Sequence, residues 1–170
     1  MDITPGTFIA DYTGEPGDRT FFIQARGDVT HTFLVEKQQV DLLAERLREM
    51  LILLDADDVI AQATPARDPA VILEPPIEPE WRIGTIAIGY VEESDRVVVS
   101  LAPAQEDPPD DPDEIEFDAR FFLDKDQVRA FVLHAAAVVA EGRPLCQLCG
   151  LPMDPAGHNC PASNGHRVDA

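Results

Sequence analysis

Apolar residues alternate with polar ones through the first thirty-five positions of the chain. Phe8, Ala10 and Tyr12 share one side of Thr7 to Tyr12, and Phe21, Ile23 and Ala25 share one side of Arg19 to Arg26. A period of two is the pleat of a half-buried strand. Gly14, Pro16 and Gly17 punctuate the first pair, and Gly27-Asp28 makes a hairpin turn into a third strand, Val29 to Val35. That strand sets Val29, His31, Phe33 and Val35 on one face. The period then changes. From about Lys37 to Asp55, Val40, Leu43, Ala44, Leu47, Met50, Leu51 and Leu54 fall at three- and four-residue spacing, the buried stripe of an amphipathic helix. Its length is roughly 27 Å at 1.5 Å per residue.

Residues 56–80 are rich in proline and acid and read as a connector, with a short extended segment at Ala70 to Leu73. Alternation resumes in Trp81 to Val91, in Arg96 to Ala102 after a turn at Glu92 to Asp95, and in Glu114 to Leu123. Between the last two, Gln105 to Pro112 is an acidic, solvated loop; its carboxylates lack the fixed spacing of a calcium hand. A second helix starts at Asp124, which with Gln127 forms a variant capping box. Val128, Phe131, Val132, Ala135, Val138 and Val139 form its buried stripe, and Gly142 and Pro144 end it.

The two series match. Gly6-Thr7, Tyr12 and Asp18-Arg19 recur as Gly84-Thr85, Tyr90 and Asp95-Arg96. Phe33 to Val40 recurs as Phe121 to Val128. The co-linear order, strand-strand-strand-helix twice, reads as a duplication with halves at about 6–55 and 82–142. The fold class expected is α+β: an antiparallel sheet of about six strands, each helix covering the dry face of its own three strands, so that both lie on one face. The repeated Asp-Arg pairs read as ion pairs that fix the turns, with a groove shared by the halves as the alternative.

The chemistry is concentrated after residue 143. All three cysteines fall between Cys146 and Cys160, in the spacing Cys-x2-Cys-x8-His-x-Cys, and Gly150 follows the first pair. Cys146, Cys149, His158 and Cys160 form a Cys3His donor set of the kind that holds structural zinc in a closed tetrahedron. His166 is the substitute ligand. Free thiols and a Cys146–Cys149 redox pair remain as alternatives, although Pro152 and Pro155 oppose the helix that a redox pair normally opens. Three cysteines cannot all pair as disulfides within one chain. The expected organisation is therefore an α+β body, 1–143, and a zinc-binding tail, 144–170, with one structural zinc ion.

A formal charge of −19 disfavours nucleic acid and anionic membrane as partners. No apolar run is long enough to span a bilayer, and the first residues lack the features of a signal peptide. Reduced thiols fit the cytoplasm. A Ser-His-Asp arrangement, a phosphate-binding loop and a dinucleotide fingerprint are all missing, as is the His-x-Glu that deaminase chemistry needs, so the reading leans away from an enzyme without closing the question. The leading expectation is an interaction or adaptor module. The alternative is a small-ligand binder or enzyme using a groove between the halves, with Arg19, Arg96, Arg120, His31 and Trp81 as weak candidates, the arginines to hold an anion.

The tail also carries a resemblance. Cys146, Leu148, Cys149, Gly150, Pro152, Asp154, Pro155, Gly157, His158, Cys160, Pro161 and Asn164-Gly165, with Arg19 to Ala25 and Glu36 to Gln39 in the body, resemble an actinobacterial family of unknown function, domain of unknown function 3090. Ala162 and His166 depart from its pattern, standing where a basic and an aromatic residue are expected. The resemblance implies a cytoplasmic bacterial protein without an assigned activity. It also implies a kinase-like protein as a candidate partner.

Overall fold

A computed structural model describes residues 1–141, 146–150 and 160–162. The protein is a mixed α+β structure with two helices and two sheets. Strand β1 is Asp2–Ile3, β2 Thr7–Thr13, β3 Thr20–Arg26 and β4 Thr30–Val35; helix α1 is Lys37–Leu54. After the connector come β5 Ile83–Val91, β6 Arg96–Pro103, β7 Ala119–Leu123 and helix α2 Lys125–Ala140. One sheet has the order β2-β3-β4, the other β1-β7-β6-β5. None of the described helices is long and apolar enough to cross a membrane.

The local reasons for these elements are visible in the sequence. Gly14 closes the β2–β3 connection with a φ of +94°, and a Cβ there would stand 2.2 Å from the Asp18 carbonyl oxygen. That conformation and that space suit only glycine. The register β5–β6 shifts between Ile83 and Thr85 at Gly84, where a Cβ would meet the Ala104 Cα at 2.7 Å. Both helices start on a glutamine three residues past the cap. Gln39 accepts from the Glu36 N–H at 3.0 Å, and Gln127 accepts from the Asp124 N–H at 3.0 Å.

The sheets differ from the expected single layer of about six strands. The chain leading into each half lies against the last strand of the other half. Asp2 and Ile3 run parallel to Arg120 and Phe121 of β7, and Arg82 bridges in parallel to Leu34 of β4. Supporting bonds are Arg120 N–H to Met1 O at 2.8 Å and Leu34 N–H to Trp81 O at 3.0 Å. The helices cross over too. Helix α2 packs on β2, and α1 packs against α2 and β5, so each helix does not simply cover its own three strands. The other end of the same two glutamines holds this arrangement. Gln127 Nε2 donates to Pro5 O and Gly6 O at 2.7 and 3.2 Å, and Gln39 Nε2 donates to Ile83 O and Gly84 O at 3.4 and 3.1 Å.

The helical stripes and the inward strand residues form one core. Phe33, Phe121, Leu47, Leu51, Val128 and Val138 are fully buried. Each such side chain contributes on the order of 1.5–3 kcal/mol when removed from water. The Phe8 ring lies 5.3 Å from those of Phe121 and Phe131, and the Phe33 ring 4.5 Å from Trp81. Val29, expected on the inner face, is 63% exposed and precedes β4. Ala70 to Leu73 forms no strand; instead Val71, Leu73 and Ile77 cover Ile9, Phe22 and Leu34 on the outer face of the three-stranded sheet.

Candidate metal centre

The sulfur atoms of Cys146, Cys149 and Cys160 all lie within 4.8 Å of one another, and Cys146 and Cys160 are buried. The first two are set by a tight turn. The Gly150 N–H donates to the Cys146 carbonyl at 2.8 Å, and Gly150 takes a left-handed φ of +71°. The Cys146 and Cys160 sulfurs are 3.6 Å apart. That is far beyond a disulfide bond of ~2.05 Å. Four donors ~2.3 Å from one tetrahedral ion stand roughly 3.8 Å apart, so the separation suits ligands to a shared metal ion. These three cysteines could hold such an ion. His158, the fourth expected ligand, and His166, its substitute, lie outside the described residues.

The turn also prepares a thiolate. Backbone N–H groups of Cys149 and Leu148 point at the Cys146 sulfur and pull its pKa down to about 7, against burial, which raises it; the neighbouring thiols of Cys160 and Cys149 lower it further. Negative charge on sulfur is the form that binds metal. Donated N–H bonds of this sort stabilise it whether or not an ion is present.

The other candidate residues are dispersed and locally engaged. Arg19 stacks over Tyr12 at 4.6 Å and donates to Val138 O at 3.2 Å. Arg96 approaches Asp124 at 3.9 Å, and Arg120 pairs with Asp2 at 3.0 Å. His31 meets Glu80 at 2.6 Å and stacks on Phe33, while the half-buried Trp81 packs against the same ring from the margin of the core. The repeated Asp-Arg pairs, expected as ion pairs that fix the turns, form none with each other: Asp95 takes Lys125 at 2.9 Å and the Tyr90 hydroxyl, while Arg96 and Arg19 turn to Asp124 and Val138.

A buried polar cluster lies where the alternation pattern placed a wet residue. Asp11 is 2% exposed and His134 3%. The Asp68 N–H donates to His134 Nδ1 at 3.1 Å, so the ring proton is on Nε2, which donates to Asp11 Oδ2 at 3.2 Å. Arg67 reaches both Asp11 oxygens at 3.0 and 3.1 Å and also the Glu141 carboxylate, which accepts from the Tyr12 hydroxyl at 2.9 Å. Burial raises the Asp11 pKa, but the bonds from His134 and the Tyr12 N–H, with the Arg67 charge, outweigh it and hold the group below the ordinary carboxylate value. A second buried carboxylate, Asp58, takes Arg129 at 2.8 Å. Both clusters fasten the connector to the body. No sequence signal separates these aspartates from the many solvated ones, because their side-chain partners lie 56 or more residues away along the chain.

The model of a family described as Protein of unknown function (DUF3090) matches residues 3–160, and the chain belongs to that family. No curated protein and no solved structure matches it.

Proposed function

We propose that this member of the DUF3090 family is a zinc-stabilised interaction module. Cys146, Cys149 and Cys160, completed by His158, hold one structural zinc ion, and the ordered tail presents a surface to a protein partner. The observation that carries the reading is the convergence of three thiols from two turns at a spacing that fits metal ligation. The donor set fits zinc: three soft thiolates and an imidazole fill four corners and leave no position for substrate, so the ion's role is to fold the tail. Binding by such a set contributes on the order of 10–16 kcal/mol in isolated zinc peptides, enough to order a short Pro- and Gly-rich segment.

Two organisational proposals accompany it. The body, 1–143, folds without the tail, 144–170, and its halves descend from one duplicated unit. Support for duplication comes from the two glutamines that each cap their own helix and reach the chain leading into the other half. The parallel bridges supply the same reciprocity: Leu34–Arg82 in one place, Phe121–Ile3 in the other.

Native mass spectrometry of protein purified without chelator tests the metal. One zinc per chain is expected, and Cys149→Ser should lower metal affinity by at least ~100-fold, more than outer-shell changes do. Metal-free protein whose tail stays equally protected from protease would overturn the reading.

A further inference from the structure

Helix α1 and strand β5 leave an apolar groove of about 370 Å³ between them, lined by Gln39, Leu42, Leu43, Arg46, Ile86 and Ile88. A corresponding groove of about 350 Å³ lies between α2 and β2, with Gln127, Ala130, Phe131 and Phe8 at equivalent positions. The two are covered differently. The α2–β2 groove has a third wall, made by Ala66, Asp68 and Val71 of the connector. That wall is tied down by Ala66 N–H to Leu133 O at 3.2 Å and by the Asp68–His134 bond. Among the described residues nothing equivalent lies over α1 and β5. Leu42 is 52% exposed, and Ile86 and Ile88 are half-buried where Phe8 and Ala10 are buried.

Strand β5 is also an edge. It pairs with β6 from Ile83 to Val91, and from Thr85 onward its other side has no strand partner among the described residues. An open edge beside an apolar groove is a template for one more strand. Side chains at alternate positions of an added strand would enter the groove, and those between would face solvent.

Charge decides which strand. The whole chain carries −19. The basic side chains close to β5 are each engaged by a carboxylate: Arg46 by Glu49 at 3.0 Å, Arg82 by Glu36, Arg96 by Asp124 at 3.9 Å, Arg120 by Asp2 at 3.0 Å and Lys125 by Asp95 at 2.9 Å. Exposed Glu45, one helical turn from Leu42, and exposed Glu92 and Glu93, directly after β5, have no ion-pair partner among the described residues. A second copy of this chain would bring the same excess of negative charge to the edge.

We infer that the α1–β5 groove docks an extended, basic segment of a partner protein, which adds as a strand to β5 and places alternate apolar side chains against Leu42, Ile86 and Ile88. This docking face is independent of the metal site.

The probe is a synthetic heptapeptide, Arg-Ile-Arg-Val-Arg-Ile-Arg, titrated into the zinc-loaded full chain and followed by amide chemical shifts. Its control has the same composition in blocked order, Arg-Arg-Arg-Arg-Ile-Val-Ile. Saturable one-to-one binding of the alternating peptide is expected, with shifts concentrated in Thr85 to Val91 and on the Leu42 face of α1. Affinity should fall at least ~10-fold for the blocked peptide and for Leu42→Gln, a neutral change at an exposed position that leaves the fold and the charge intact. Equal binding of both peptides, shifts centred elsewhere, or a concentration-dependent dimer formed through β5 would each overturn the inference. None of those outcomes bears on the zinc content, which is measured separately on the same sample.

Discussion

Asp11 and Asp58 are acids 2% and 5% exposed, and both are kept ionised by cations that reach them from distant parts of the chain. For Asp58 the Arg129 guanidinium is the main cause of a depressed pKa, opposed by burial and assisted by the Ile60 N–H. A carboxyl whose folded pKa lies below its unfolded value stabilises the fold fully above the unfolded value, near 3.8, and loses that contribution as pH falls through the lower folded value. Urea unfolding should therefore show Asp58→Asn less stable than the parent by ~2 kcal/mol at pH 7, the range for a hydrogen bond to a charged group. The difference should shrink at pH 3. A gap that stays constant from pH 7 to pH 3 would mean that the pair contributes no charge-dependent stability.

At the scale of elements, the informative residue is a glutamine used at both ends. Gln127 Oε1 accepts from the Asp124 N–H at 3.0 Å, while Nε2 donates to Pro5 and Gly6 carbonyls. Gln127→Glu keeps the acceptor that completes the helix cap and removes both donors, leaving a carboxylate beside a carbonyl oxygen. The expected cost is ~1 kcal/mol, since the contact is only part-buried and water can reach the freed carbonyls. Gln39→Glu should cost less, because its corresponding bonds are longer, at 3.4 and 3.1 Å. Asp124→Ala should cost ~1 kcal/mol through the lost cap, in which its carboxylate accepts from the Gln127 N–H at 2.8 Å, and should leave the Gln127 bonds to Pro5 and Gly6 in place. Thermal melts of the three variants would rank them, and a neutral Gln127→Glu would remove the glutamine from any part in joining the halves.

At the scale of the whole molecule, the core is continuous across both sheets and both helices, and the described tail residues fall outside that cluster. The body should then survive without its tail. A chain ending at residue 141 is expected to unfold in one cooperative transition with helix content unchanged by circular dichroism. In the full chain, a chelator should expose the tail to protease while the body's melting temperature moves by no more than a few degrees. Collapse of the shortened chain would show instead that the tail is part of the fold. Leu47→Ala, in the centre of the α1 stripe and 0% exposed, should cost 2–5 kcal/mol in either background.

The amino-acid sequence alone determined most of the elements and the cluster of three cysteines, although β7 begins at Ala119 and not at Glu114. A change of period from two to about 3.6 marks strands from helices because the pleat and the helical turn are properties of the local backbone, and the bounds of α1 and of β2 to β6 lie within two residues of that pattern. The Cys-x2-Cys-Gly turn is likewise local, which is why the thiol cluster was legible. Tertiary structure decided everything that joins distant segments. The two-residue strand β1 has no period to read and exists only because β7 offers it partners. The exchange of helices between halves rests on Gln39 and Gln127 reaching 44 and 122 residues along the chain. The burial of Asp11 beside His134 and Arg67 depends on where the connector runs. Hydrogen bonds and packing between residues far apart in sequence leave no periodic trace in it, and they selected two sheets over one and left β5, from Thr85 onward, without a strand partner on its outer side among the described residues.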